Sequence, residues 1–191
     1  MSTTTMAMTL PTRYTLMQRL LHWLIAIVVF GLLAAGFLIW AAGGHDGLVK
    51  LLGDDLTNQL YGYHKSFGIL LLILMVLRVL LRFGSPPPAY DPPLSTPERM
   101  LGSTIHLLLY LLLIAMPIVG WLATAAGGFP VQFFGIQLPG FIGKNPEFAE
   151  ELFDLHGVIA AVVAGLLVLH IGAGLKHWKR KDGVMRRISL P

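Results

Sequence analysis

The sequence predicts an all-α membrane protein, a bundle of four transmembrane helices with both termini in the cytoplasm. Three observations carry that reading. The 191-residue chain is 55% hydrophobic and only 13% charged, with a mean hydropathy of +0.70, where a soluble domain is about 25% charged. Four apolar runs, at about 20–40, 61–81, 105–126 and 153–175, each approach the ~20 residues that carry a helix across a hydrocarbon core. Lys and Arg, finally, are shared unevenly among the segments between these runs. Backbones in lipid are satisfied only in helices or closed barrels, and the period-two alternation of barrel strands is missing.

The first run exceeds the ~7–15 apolar residues of a secretory signal and is followed by three more spans, so it is expected to be retained. His22 stands near its start. The link after it contains "AAGGHDG", which places His45 in a solvated loop. The second run opens with His64 and closes with Arg78. "GSPPPAYDPPLSTPERM" (84–100) then reads as a stiff, extended connector. The third run begins at His106 and contains Pro117, a kink that membrane helices tolerate. Residues 127–151 are rich in Gly, Pro and Phe, too apolar for simple solvation, and are expected to fold over the outer end of the bundle. The whole chain, 1–191, reads as a single domain.

Eleven of the fourteen Lys and Arg lie in the N-terminal segment, the 82–104 connection, the C-terminal segment and the adjoining helix ends. Lys50, Lys65 and Lys144 lie on the other side, with seven of the ten acidic residues. The positive-inside rule therefore places both termini in the cytoplasm. The net charge of +4 records topology and does not point to nucleic acid. With no cysteine in the chain, disulfides, thiolate-held iron–sulfur clusters and covalently attached haem are excluded.

The fourth run, "LHGVIAAVVAGLLVLHIG" (155–172), carries His156 and His170 with no other polar side chain between them. Fourteen helical residues turn about 1400°, about 40° short of four turns, and rise ~21 Å. The two imidazoles thus share a face at opposite membrane depths, which specifies two sites. His22 is inner and His64 outer by topology, giving the pairs His22/His170 and His64/His156. Zinc wants about four ligands, usually including thiolate or carboxylate, and no intramembrane carboxylate accompanies these pairs. Two imidazoles on opposite sides of a haem iron need neither. Gly36, Gly68, Gly157 and Gly172 offer room nearby. Ordinary interhelical hydrogen bonding is the competing account of all four histidines.

Three further residues leave alternatives open. Arg78 stands fourteen residues after His64, where it either meets an inner haem propionate or snorkels with Arg82. His106, with Tyr110 on its face, either approaches the inner haem edge or a quinone, or anchors the interface. His177, among Lys176, Lys179 and Arg180, reads as a surface residue.

"LLHWL" (20–24), "HKSFGILLL" (64–72) running on to "RVLLR" (78–82), "HLLLYLLL" (106–113), "LHGVIA" (155–160) with "LHIGAGLKH" (169–177), and the tail "KDGVMRRI" (181–188) resemble the prokaryotic cytochrome b561 family in order. The resemblance runs from about Arg13 to Ile188. It implies a di-haem electron carrier of the bacterial cytoplasmic membrane, with two non-covalent b-type haems on His22, His64, His156 and His170. It also implies ubiquinone as acceptor and, as in superoxide oxidases, a small periplasmic donor. Lys65 and Ser66 follow the outer ligand and are placed to receive a small anion, although three external basic residues against seven acidic would not steer one inward. The alternative is a haem-bearing membrane anchor of a larger respiratory oxidoreductase, with a protein partner supplying electrons. A histidine-lined transporter would need a polar path that the spans lack.

Overall fold

Polar residues at the edges of the apolar runs decide where the helices begin. In the computed structural model, which describes residues 12–190, Thr15 accepts from the Gln18 backbone N–H while the Gln18 side chain accepts from Thr15 N–H. This capping box starts α1 (Leu16–Ala41) ahead of the apolar run itself. Gly43 and Gly44 take positive φ and are followed by a short helix, α2 (His45–Leu52). His45 is therefore the first residue of a helix rather than part of a loop, although it is exposed as expected. Leu48 anchors α2 and is fully buried. Gly53, at φ 80°, separates α2 from α3 (Asp54–Gly84).

The proline-rich connector leads into α4 (Thr96–Ala126), which has Pro97 in its first turn and Pro117 inside it. A hairpin follows, β1 (Val131–Phe133) paired antiparallel with β2 (Ile136–Leu138). Its two-residue turn, Phe134 and Gly135, has φ of 47° and 89°, the mirror-image turn that matches strand twist. The 127–151 segment thus has structure of its own. Asn145 caps α5 (Pro146–Arg180) by accepting from Phe148 N–H at 3.1 Å. The fourth span therefore starts well before residue 153. A 3-10 turn, Met185–Arg187, closes the chain.

α1, α3, α4 and α5 are each long and apolar enough to cross a membrane. α1 packs on α3, α3 on α4, and α4 on α5, while α5 has no extended close packing on α1 or α3. Ala123, Ala126 and Ala149 let α4 and α5 approach closely. Ile27, Phe30, Leu80 and Val168 point outward, as lipid-facing residues must when lipid is the solvent. The main core lies at mid-depth and includes Val29, Leu71, Leu113 and Val163. Each stands seven residues from a histidine on its own helix, so this apolar layer separates the two histidine levels.

The end of the bundle that carries the described termini is termed inner, and the hairpin end outer. At the inner end, Arg13 and Arg19 donate to the Ser189 carbonyl, and Trp23 Nε1 donates to that of Ile188. Arg187 is buried, stacked on Tyr90 and Tyr14, and donates to Pro88 O. His177 is likewise buried, against expectation, with Nδ1 2.6 Å from the Asp182 carboxylate. The reversal at Lys181, at φ 56°, folds Asp182 back onto it.

Val163 is fully buried at the centre of the dividing layer. Val163→Ala should cost about 1–3 kcal/mol in a reversible detergent-denaturation assay. Val168→Ala, on the exposed face, should cost less than about 0.5 kcal/mol. Equal losses would remove the layer from the account of stability.

Candidate haem-binding site

The helical register delivers the pairs that topology predicts. His22 of α1 and His170 of α5 have ring centroids 6.2 Å apart, and His64 of α3 and His156 of α5 are also 6.2 Å apart. All four imidazoles are half-buried. A ligating nitrogen stands about 2 Å from its metal and about 1 Å from its own ring centre, so imidazoles on opposite sides of one metal have centroids about 6 Å apart. Both pairs meet that spacing. His106 lies 5.3 Å from His170, closer than that, and is a neighbour of His170 rather than its opposite number.

Hydrogen bonding argues against direct histidine-to-histidine pairing. Among the described residues neither pair is joined by a hydrogen bond, and His64 Nδ1 is buried without a partner. Buried polar atoms of this kind are rare and need an explanation. His156 is oriented from behind, with Nδ1 3.2 Å from the Met116 carbonyl. A donated Nδ1–H leaves Nε2 free to coordinate, the usual arrangement behind a ligating histidine. Glycines leave the rings their space. A Cβ at Gly120 would stand 3.1 Å from the His156 ring, and one at Gly36 would stand 3.6 Å from His64. Gly36 is fourteen residues after His22, and Gly120 fourteen after His106. Gly120 and the Met116 carbonyl escaped the sequence reading, although the same spacing from His106 points to Gly120.

Around the inner pair, Arg78 Nε donates to the Tyr110 hydroxyl at 3.1 Å and Nη1 to the Gln18 carbonyl at 3.4 Å. Arg78 and Arg82 both stand over the Tyr110 ring, with guanidinium carbons 5.8 and 5.6 Å from its centroid. Arg78 is therefore held inside the bundle with the inner pair rather than extended alone toward water. His106 lies beside His170 and remains partly exposed.

At the outer pair the structure gives Ser66 a different task from receiving an anion. Its hydroxyl is buried, shares its proton between the Gly62 and Gln132 carbonyls, and accepts from Phe134 N–H at 3.0 Å. Lys65 Nζ donates to the Pro130 carbonyl at 3.0 Å and stays partly exposed. With Trp121 Nε1 donating to Pro139 O, these bonds hold the hairpin over the outer end of α3 and α4. The composition of 127–151 announces the roof, but the bonds that fasten it join residues far apart in sequence and follow from no local pattern.

The model of the prokaryotic cytochrome b561 family matches residues 13–189, nearly the whole chain. The chain belongs to that family. It is 36% identical over 180 residues to "Cytochrome b561 homolog 2" of Escherichia coli, a match spanning 93% of this chain and 92% of that protein. It is 27% identical over 177 residues to "Probable superoxide oxidase CybB" of Yersinia pestis, spanning 92% and 95% of the two. A third relative, "Cytochrome b561 homolog 1" of Escherichia coli, is 27% identical over 126 residues, 65% of this chain and 72% of the relative. The protein is thus a multi-pass bacterial inner-membrane cytochrome b that transfers electrons. Membership implies b-type haem, and the paired imidazoles, the orphaned His64 Nδ1 and the Gly120 cradle fit such a group.

Gly120→Val should press on the His156 ring and lower bound haem measured against protein. Gly31→Val, at a helix position with no neighbour within 4 Å, should leave haem content unchanged. Equal haem in both variants would show that Gly120 does not shape the site.

Proposed function

We propose that this cytochrome b561-family protein carries two b-type haems, the inner held by His22 and His170 and the outer by His64 and His156. It would pass single electrons from a small periplasmic donor such as superoxide to ubiquinone, with both termini in the cytoplasm. The observation that carries the reading is the pair of 6.2 Å imidazole contacts at two depths. The likeness to a probable superoxide oxidase supports the donor class, and the distribution of Lys and Arg supports the orientation.

Bound b-type haem would supply a reversible one-electron couple at each site. The chain's own residues divide the remaining work. Met116 O fixes the His156 ring, and the mid-depth layer of Val29, Leu71, Leu113 and Val163 keeps water from between the levels. Arg78 would favour added negative charge at the inner level, and Arg78 with Arg82 would pair a haem carboxylate. His106, exposed beside His170, would meet a quinone headgroup. Lys65, next to His64 in sequence and bonded to Pro130 O, would contribute a cation at the outer level.

A second reading, the haem-bearing anchor of a larger oxidoreductase, draws on the outer segment. Phe129, Ile136 and Phe141 there are 59%, 62% and 75% exposed, as a docking surface would be. Purification under mild conditions separates the two. A lone chain reduced by a small donor supports the first, and a stoichiometric protein partner supports the second.

A pyridine haemochrome assay should give two haems per chain, and a value of one overturns the proposal. His22→Ala and His170→Ala should each remove the same spectral component, while His64→Ala and His156→Ala remove the other. Loss of one shared component from His22→Ala and His64→Ala would break the pairing.

Arg78→Leu should lower the inner potential by roughly 50 mV or more, the equivalent of about a tenfold change for a one-electron couple. Lys65→Leu should leave that potential in place and slow reduction by superoxide by roughly two- to tenfold, an effect that fades at high salt. Redox titration and stopped-flow reduction at two salt concentrations read both. An unshifted inner potential in Arg78→Leu would count against its electrostatic role, and an unchanged rate in Lys65→Leu against an anionic donor.

A further inference from the structure

Where α5 leaves the bundle, its last turn and the loop after it enclose a groove lined by Trp178, Lys179, Lys181, Met185 and Arg186. Two observations distinguish this groove from the other basic surface at the inner end. The first is charge. Lys176 and Arg180 share the Glu98 carboxylate, at 2.8 and 3.1 Å, and Asp182 is engaged by His177. Lys179, Lys181 and Arg186 are exposed, and among the described residues none has a carboxylate within ion-pair distance. Three cations around one groove without a counter-ion repel one another, so an anion between them is favoured.

The second observation is the surface that leads into the groove. Val168, Ile171, Leu175 and Trp178 fall on one stripe of α5 at helical spacing, and they are 71%, 40%, 58% and 68% exposed. The apolar part of this stripe belongs to the membrane-spanning helix, and Trp178 ends it where indole rings settle at the headgroup level. Met185 continues the apolar floor, with its Sδ packed over Gly174 of α5. An apolar track that ends in an unneutralised basic groove matches one ligand class, a lipid with an anionic phosphate headgroup. A free phosphate would have no use for the track.

We propose that this groove binds an anionic phospholipid, with Lys179, Lys181 and Arg186 on the phosphate and the acyl chains along Val168, Ile171 and Leu175. None of these residues belongs to the proposed haem sites, so haem loading and lipid retention are separate readouts. The test uses the haem-loaded full chain in mild detergent, exposed to equal phosphatidylglycerol and phosphatidylcholine, with retained lipid counted by native mass spectrometry. Phosphatidylglycerol should be retained about tenfold over phosphatidylcholine. Lys181→Gln and Arg186→Gln should each reduce that preference at least threefold, with the haem spectrum unchanged. Arg99→Gln, which removes an inner-end cation outside the groove, should keep it. Equal retention of the two lipids by the unmodified protein would overturn the proposal without recourse to any variant. So would an equal loss in Arg99→Gln, which would mean a diffuse field, or displacement of phosphatidylglycerol by millimolar inorganic phosphate, which would mean a site for the free anion.

Discussion

Fourteen residues of α-helix fall about 40° short of four full turns while climbing ~21 Å, and this register recurs in every long helix of the bundle. α1 carries His22 and Gly36, α3 His64 and Arg78, α4 His106 and Gly120, α5 His156 and His170. Each helix therefore offers two of these residues on nearly one face, one per membrane level. Halfway between them stand Val29, Leu71, Leu113 and Val163, all buried. One inserted residue would rotate the far half of its helix by about 100° and withdraw a histidine, an arginine or a glycine from its level.

Each level receives different chemistry from the same frame. The outer level is compact. Gly120 lets the His156 ring approach, the Met116 carbonyl sets that ring, and the hairpin stapled to Lys65 and Ser66 roofs the end. At the inner level the surroundings are cationic. Arg78 and Arg82 share Tyr110, and a third imidazole, His106, packs on His170. Around it Arg13, Arg19, Trp23 and Arg187 hold backbone carbonyls of the tail and the proline-rich connector. These carbonyls belong to segments without regular hydrogen bonding, and unpaired buried carbonyls are costly. Basic side chains placed by topology thus also close the inner end.

The packing order explains how paired histidines come together without their helices touching along their length. α5 contacts α4 closely through alanines but has no extended close packing on α1 or α3, which carry the partner histidines. Imidazoles bridge that separation at 6.2 Å. Closer packing of α5 on α1 and α3 would bring the paired rings nearer than the 6.2 Å at which they stand. In this respect the modest burial of α5 is a property of the site.

The sequence by itself determined the four spans, the sharing of faces by His156 and His170, and the pairing of the histidines by depth. These follow from helix period and bilayer thickness, two constants that act locally along a chain. It left undecided what depends on residues distant in sequence. Ser66 reads as a polar residue beside a ligand until the hairpin sixty-odd positions later claims its hydroxyl. His177 reads as a surface residue until the left-handed turn at Lys181 returns Asp182 to it. α2 hides behind the glycines of "AAGGHDG", whose turn chemistry ends one helix and precedes the next. Gly120 has a use only once α4 and α5 are in contact. Periodicity specifies which face of a helix a residue occupies, but the partner that meets that face is set by long-range packing, which only the tertiary structure decides.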